Sequence, residues 1–204
     1  TGSMGGVNAL KRGQTHLAPV HILDEKNGVY NEILLEKYFK NDDIVLVKGV
    51  QREQGLILPK GNPKNIRAVS DLLNGNISFI NRQRGAGTRV LLDYLLNKDG
   101  LDSGEINGYE REATTHMACA TAVKSGSADV ALGIKAAAQV MDLDFIPITF
   151  ENYDFLVKQE TLSDDRMKTF LSFISSPKFK ERIENLGGYK AIESGKLVFK
   201  GDIL

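Results

Sequence analysis

The sequence has 204 residues, 42% of them hydrophobic, which is enough for one large domain or two small lobes with a real core. Its 26 basic and 26 acidic residues balance, so no overall field attracts nucleic acid or a membrane surface, and any attraction must be local. The single cysteine excludes an intrachain disulfide, and no apolar run approaches the ~20 residues that a membrane helix needs.

Helix-like and strand-like patterns alternate along the whole chain. Apolar positions at helical spacing predict helices, and short apolar runs bounded by glycine, proline or asparagine predict strands. In chain order the patterns predict a helix over 7–11, a strand over 17–23, a helix after Asn31, strands over 43–50 and 55–58, a short helix over 69–73, a strand over 77–80, a helix over 90–96, a strand over 106–112, a helix over 116–123, a strand over 128–133, a helix over 134–140, strands over 145–150 and 155–157, and late helices over 167–174 and from Ser176.

The loop from Asn81 to Arg89 is the strongest candidate for a ligand site. It follows the strand over 77–80 and leads into a helix, and Gly85 and Gly87 let its backbone turn tightly and approach a ligand. Thr88 is predicted to cap that helix, whose first N–H groups and dipole favour an anion. The loop therefore predicts an anion-binding helix start.

Three arginines strengthen this interpretation, because Arg82, Arg84 and Arg89 add forked donors and no acid lies in the same stretch. The alternative is that these arginines pair with Glu110 and Glu112 or face water. The two glutamates are two positions apart, so on a strand they share a face, where they suit arginine partners better than catalysis as an acid pair.

Two further helix starts and one aromatic residue extend the candidate site. If Ser3 caps the first helix, its hydroxyl and the next N–H groups form a second anion-facing end, and a plain cap without a ligand is the alternative. Thr115 is predicted to cap the alanine-rich helix in the same way. Tyr153 is a candidate to close over the ligand, with a place in the core as the alternative.

Other reactive residues fit packing better than chemistry. His116 and Cys119 lie three positions apart on one helix, but alanines surround them, so a buried packing helix is the better interpretation. The histidines His16, His21 and His116 lack metal-ligand spacing. No nucleophile–base pair or metal set emerges, so we expect neither an enzyme nor a bound cofactor or metal.

The alternation of elements predicts a mostly parallel α/β architecture with ligands at the carboxyl ends of strands. Boundaries at Pro59–Pro63 and near Pro147 predict two crossings between lobes. The predicted lobes are lobe I, residues 1–55 plus 148–204, and lobe II, residues 56–147. We expect a central cleft to receive Ser3 from one lobe and the 84–88 loop with Thr115 from the other.

A series of short motifs now supports a family resemblance. They are Gly2–Gly6, His21 before Gly28–Asn31, Gly55–Leu56 before Gly61–Pro63, Asn81–Arg89, Gly108–Glu112 before Thr115–His116, and Ser125–Asp129. In order and spacing they resemble the substrate-binding-protein-like domain related to periplasmic molybdate-binding proteins. That domain occurs alone, behind helix-turn-helix modules of regulators, and fused to molybdopterin molybdenumtransferase. The resemblance covers nearly the whole chain and implies a type II periplasmic-binding-protein-like α/β fold, with two lobes, a hinge and a central cleft.

The resemblance further implies non-catalytic binding of a small oxyanion, molybdate or tungstate, in molybdenum cofactor metabolism or sensing. Ser3, Thr88 and Thr115 match motif positions of ligand contacts. The full set of predicted ligand-binding residues is Ser3, Arg84, Gly85, Ala86, Gly87, Thr88, Arg89, Thr115 and Tyr153. Because molybdate pockets of the transporter type use neutral donors, the arginines favour a larger or more highly charged anion as the alternative.

The expected partners follow from the same resemblance. We expect a small anionic ligand, no nucleic acid or membrane contact through this domain, and a fused or associated enzyme or DNA-binding domain. The competing function is the effector domain of a transcriptional regulator that binds a larger anionic metabolite. A cytoplasmic location is implied, with an extracytoplasmic one left open. The family pattern has a further strand and a glycine–serine loop before Thr1, so we expect a first lobe truncated at its N-terminus.

Overall fold

The computed structural model describes residues 2–39 and 43–203. The chain divides into two compact units. Unit 1 comprises Thr1–Arg52 and Glu151–Leu204, and unit 2 comprises Glu53–Phe150. The sequence analysis placed the lobe boundaries between residues 55 and 56 and between residues 147 and 148.

The elements of the described chain are short, apart from two long strands. The helices are α1 (Gly2–Lys11), α2 (Ile33–Lys37), α3 (Gly87–Asp99), α4 (His116–Lys124), α5 (Lys135–Val140), α6 (Asp165–Ser175) and α7 (Pro177–Glu184). The strands are β1 (Leu17–Val20), β2 (Ile44–Leu58), β3 (Phe79–Arg82), β4 (Glu112–Ala113), β5 (Val130–Ile134), β6 (Asp144–Lys158), β7 (Tyr189–Lys190) and β8 (Leu197–Val198). The chain passes from one unit to the other within β2 and again within β6.

Unit 1 is built on antiparallel pairs. Strand β6 pairs with β1, and β2 pairs with both β7 and β8. Helix α1 packs on β1 because its apolar positions Val7 and Leu10 share one face, and both are fully buried. They join a core cluster with buried side chains of α2, β1 and β2. This packing holds the first turn of α1 beside the end of β1.

Unit 2 contains the parallel part of the sheet. Strand β3 pairs in parallel with β4 and with β5, whereas β5 pairs antiparallel with β2. Helix α4 packs against β5, and its side chains Cys119, Ala120 and Val123 are buried. Small side chains let this helix approach the sheet closely. Because β3 and β4 are parallel neighbours, the helices that follow them, α3 and α4, begin at the same edge of the sheet.

The structure corrects three sequence-based predictions. The sheet is mixed, because within residues 2–39 and 43–203 β3 pairs in parallel with β4 and β5, whereas the pairs β1–β6, β2–β5, β2–β7 and β2–β8 are antiparallel. Strands β2 and β6 each run unbroken where two separate runs were predicted. The run 106–112 is no strand, because β4 begins only at Glu112, after a 3₁₀ turn over Ser103–Glu105.

The sequence of β2 resembles two strands separated by a turn, because it contains polar residues and two glycines, Gly49 and Gly55. Both glycines fit within the strand because backbone of β6 lies directly beside them. A Cβ atom on Gly49 would collide with the Tyr153 carbonyl oxygen, and one on Gly55 with that of Ile146. No helix of the described chain is long and apolar enough to cross a membrane.

Candidate functional site

The predicted anion loop of unit 2 begins α3 without a side-chain cap. Gly85 has a positive φ of 82°, which glycine adopts without strain, and it turns the chain into the helix. Ala86 occupies the N-cap position in an extended conformation and supplies no capping side chain. The N–H of Arg89 donates to the Ala86 carbonyl at 2.9 Å. The N–H groups of Gly87 and Thr88 come before any intrahelical acceptor and are available to an anion.

Thr88 was predicted to be the N-cap, and this is wrong. It is the second residue of α3, it is 3% exposed, and its hydroxyl donates to Gln54 Oε1 at 3.3 Å. The extended backbone of Ala86 starts the helix two residues earlier, which turns the Thr88 side chain towards β2. The buried hydroxyl therefore belongs to a polar pair with Gln54.

The two arginines of the predicted site have carboxylate partners inside unit 2. Arg89 Nη1 donates to Glu112 at 2.6 Å, and Arg84 Nη2 donates to Glu110 at 2.9 Å. Arg89 is buried over the ring of Tyr109, with 4.6 Å between its guanidinium carbon and the ring centre. The hydrogen bond from Arg84 lowers the pKa of Glu110. The charges of both arginines are therefore compensated, as the sequence-based alternative proposed.

A second helix start lies at the same edge of unit 2. Thr115 caps α4, since its hydroxyl accepts the Ala118 N–H at 3.0 Å, as predicted. Two bonds join the loop before α4 to the loop before α3. The Gln83 N–H donates to the Ala113 carbonyl at 3.1 Å, and Arg82 Nη2 donates to the Thr114 carbonyl at 3.1 Å. The starts of α3 and α4 are thus held together.

Ser3 is held by a histidine in unit 1. It lies within α1, which begins at Gly2, so it is not the predicted N-cap. Its hydroxyl accepts the backbone N–H of His21 at 3.2 Å and lies 3.0 Å from His21 Nδ1. The His21 ring stacks on Tyr153, with 5.1 Å between ring centres and an interplanar angle of 9°. The structure therefore brings Ser3 and Tyr153 together through His21.

Beyond Tyr153 lies a buried polar group that the sequence did not reveal. The Arg52 guanidinium is 5.7 Å from the centre of the Tyr153 ring and forms an ion pair with Glu151, which is 1% exposed. Tyr30, 6% exposed, lies in the field of both charges. Arg52 lies in the polar part of β2 that was taken for a break between two strands. The polar residues around Arg52 gave no sequence signal that set it apart.

The predicted ligand residues therefore fall into two groups. Ser3 and Tyr153 lie in unit 1, and the α3 loop and Thr115 lie in unit 2. Cys119 is fully buried and burial raises its pKa to about 11, as expected for a packing helix. Among residues 2–39 and 43–203, no group of three or more histidine, cysteine or acidic side chains could hold a metal ion.

Comparison with known proteins identifies the family. Residues 1–175 match the model of the PBP superfamily domain, PBP_like. The chain belongs to this family. The PBP-like chain is 33% identical to the Bacillus subtilis protein YvgK over 199 residues, which cover 98% of this chain and 64% of that protein. It therefore spans less than two thirds of the length of this relative.

Solved structures of PBP-like proteins share the fold. A phosphate ABC transporter substrate-binding protein from Clostridium perfringens with bound phosphate is 16% identical, with a TM-score of 0.65 over 93% of this chain and 84% of that one. The regulatory domain of CcmR from Synechocystis in complex with 2-PG is 16% identical, with a TM-score of 0.60 over 85% of this chain and 78% of that one. The predicted type II periplasmic-binding-protein-like α/β fold with two lobes is confirmed.

Proposed function

We propose that this PBP-like domain binds a small oxyanion without catalysing a reaction. The observation that carries the proposal is the start of α3, where Gly87 and Thr88 present N–H groups and Ala86 supplies no capping side chain. An anion accepts hydrogen bonds from such N–H groups, and the positive end of the helix dipole favours its binding. The adjoining start of α4 adds the positive end of a second helix. Membership of a ligand-binding superfamily supports the same assignment.

The local charge favours a small anion over a highly charged one. Glu112 and Glu110 neutralise Arg89 and Arg84, so uncharged backbone N–H donors dominate at the loop. Such donors suit molybdate or tungstate, which are the ligands that we propose from the sequence resemblance. Supply or sensing of molybdenum would follow from that ligand. The central cleft, and the roles of Ser3, Thr115 and Tyr153 as ligand contacts, stay predictions.

A second candidate is the effector domain of a regulator that responds to a phosphorylated metabolite. Its support is that one neighbour of known structure carries phosphate and another, a regulatory domain, carries 2-PG. The fold alone is common to these proteins and to the chain, so the ligand must be established by experiment.

The first experiment is a calorimetric titration with molybdate, tungstate, sulfate, phosphate and 2-phosphoglycolate. Saturable binding of molybdate or tungstate, with weak or absent binding of the others, is the expected result. A clear preference for phosphate or 2-phosphoglycolate would transfer the assignment to the second candidate. No heat of binding with any of the five would contradict oxyanion binding.

The Ala86→Asp variant tests the location of the site. A carboxylate at the N-cap accepts the free N–H groups of α3, which stabilises the helix by about 1 kcal/mol. The same carboxylate repels an incoming anion and takes its hydrogen bonds, so we expect affinity to fall by about tenfold or more while the melting temperature rises. The neutral, isosteric Ala86→Asn is the matched control and should lose less affinity. If Ala86→Asp binds as tightly as the parent, the start of α3 is not the site.

A further inference from the structure

Four charged side chains lie beside the start of α3 in unit 2, and they differ in how firmly they are held. The Arg89 side chain is 5% exposed, donates to Glu112 at 2.6 Å and lies over the Tyr109 ring. The Arg84 side chain is 74% exposed, and its partner Glu110 is 64% exposed. Water competes with an exposed ion pair, so such a pair is weak, whereas a buried and stacked guanidinium stays in place. Arg84 is therefore the more easily released of the two arginines.

Glu110 and Glu112 hold different parts of Arg84. Glu112 Oε1 accepts the backbone N–H of Arg84 at 3.3 Å, so it anchors the chain of the loop. The distance from Glu112 to the Nε atom of Arg84 is 3.9 Å, which is too long for a hydrogen bond. Glu110 accepts a hydrogen bond from Arg84 Nη2 at 2.9 Å, and this bond lowers the pKa of Glu110. Glu110 therefore fixes the charged end of Arg84, and Glu112 fixes its backbone.

Arg84 lies close along the chain to the proposed anion-binding N–H groups. The Ala86 N–H donates to the Gln83 carbonyl at 3.1 Å, which closes a tight turn with Arg84 and Gly85 at its centre. Gly87, whose N–H is among the proposed donors, follows this turn directly. A small tetrahedral anion accepts these backbone N–H groups, and the exposed Arg84 side chain can add its charge only to an anion that extends further outwards. A free Arg84 would therefore favour larger, more highly charged anions.

We propose that Glu110 is a positioning residue that sets the ligand specificity of this site: it keeps Arg84 away from the ligand and thereby selects small oxyanions against larger, more highly charged anions such as pyrophosphate. This inference rests on the proposed function, because it concerns the selectivity of the same site. It agrees with molybdate or tungstate as the ligand, since both are small and suit uncharged donors. Specificity is a difference between two affinities, and withholding a charge lowers the affinity for the competitor.

The Glu110→Gln variant tests the proposal in calorimetric titrations, with molybdate and pyrophosphate as the two probes. Release of Arg84 should tighten pyrophosphate binding by about fivefold, the effect of one exposed charge pair, and leave the affinity for molybdate within about twofold. Arg84→Met alone should change neither affinity by more than about twofold, because Glu110 already withholds Arg84. Glu105→Gln is the matched control, because it removes the same charge from an exposed position on the 3₁₀ turn of unit 2. It should leave both affinities unchanged.

A double variant separates this mechanism from direct repulsion of the ligand by Glu110. If Glu110 acts through Arg84, Glu110→Gln should not affect pyrophosphate binding in a chain that also carries Arg84→Met. A gain that persists in the double variant would show that the Glu110 charge itself repels the ligand, and would overturn the proposal. An equal gain for molybdate and pyrophosphate, or no gain for pyrophosphate, would overturn it as well.

The ligand-free protein gives an independent measurement. Because the hydrogen bond from Arg84 lowers the pKa of Glu110, Arg84→Met should raise that pKa, measured by NMR titration of the Glu110 carboxyl carbon. An unchanged pKa would show that the pair does not form in solution, and would overturn the proposal. Failure of molybdate and tungstate to bind the parent would instead contradict the proposed function. Molybdate binding with unchanged selectivity in Glu110→Gln would overturn this inference alone.

Discussion

The thiol of Cys119 is expected to be inert in the native protein. It is fully buried, its Sγ lies 3.8 Å from the Asn81 carbonyl oxygen, and burial raises its pKa to about 11, against the opposing charge of Arg82. Since the thiolate is the reactive form, we expect no labelling by a disulfide reagent at about pH 8. Labelling followed by absorbance should reach one thiol per chain only after unfolding in guanidinium. Rapid labelling of the native protein would contradict the packing of α4.

Single residues were predictable where a local pattern sets their contact. Thr115 follows a short strand and precedes a helix, and its capping bond to Ala118 is confirmed. Thr88 was assigned the same role wrongly, because the N-cap of α3 is Ala86, whose side chain gives no signal. Only backbone torsion angles identify that cap. In a loop with two glycines the sequence allows several starting points for the helix.

Ion pairs across the chain were only partly predictable. Arg84 and Arg89 contact glutamates that lie far along the sequence, Glu110 and Glu112. The sequence analysis gave this pairing as one alternative. It could not decide between the alternatives, because the contacts between these side chains depend on the parallel pairing of β3 with β4. The Arg52–Glu151 pair was not foreseen, since its partners come together only through the folding of β2 and β6.

At the scale of elements, close backbone approach makes Gly55 indispensable to β2. A Cβ atom there would collide with the Ile146 carbonyl oxygen and the Phe145 ring. We expect Gly55→Ala to lower the free energy of unfolding by about 1–3 kcal/mol, measured by urea denaturation. Gly75→Ala is the control, because its added methyl meets no atom within 4 Å. Equal stability of the two variants would contradict the close approach.

The existence of most elements followed from the sequence, but their continuity and direction did not. Glycines and polar residues near Gln54 are typical of turns, yet they occupy the middle of β2. Strand propensity depends on what packs beside the strand, and β6 supplies the neighbouring backbone. The direction of pairing also depends on long connections, which the local pattern does not encode. For this reason the mixed sheet was mistaken for a mostly parallel one.

At the scale of the whole molecule, ligand binding should stabilise the fold. A ligand that binds only the native state at 100 times its dissociation constant adds about 2.7 kcal/mol. For a chain of this length that raises the melting temperature by about 5–10 °C. Differential scanning fluorimetry with molybdate or tungstate measures the shift. Sodium chloride at equal ionic strength is the control, and an equal shift with it would indicate a nonspecific salt effect.

The fold of the whole molecule was the most predictable feature, because it rested on many motifs in one order and not on any single contact. The family match over residues 1–175 confirms the type II periplasmic-binding-protein-like fold. The identity of the ligand was less predictable, since proteins with related folds bind different ligands, and a few hydrogen-bond donors determine which ligand is bound. Such donors come together only in the folded chain.

The order of the units along the chain has a consequence for genetic engineering. Unit 2 is one uninterrupted stretch, Glu53–Phe150, inserted between the two parts of unit 1. The residues on either side of that insertion, Arg52 and Glu151, already touch. A short turn could therefore join them after deletion of the stretch, giving a continuous minimal domain. The same junction is a natural position at which an unrelated sensor module could be exchanged for unit 2.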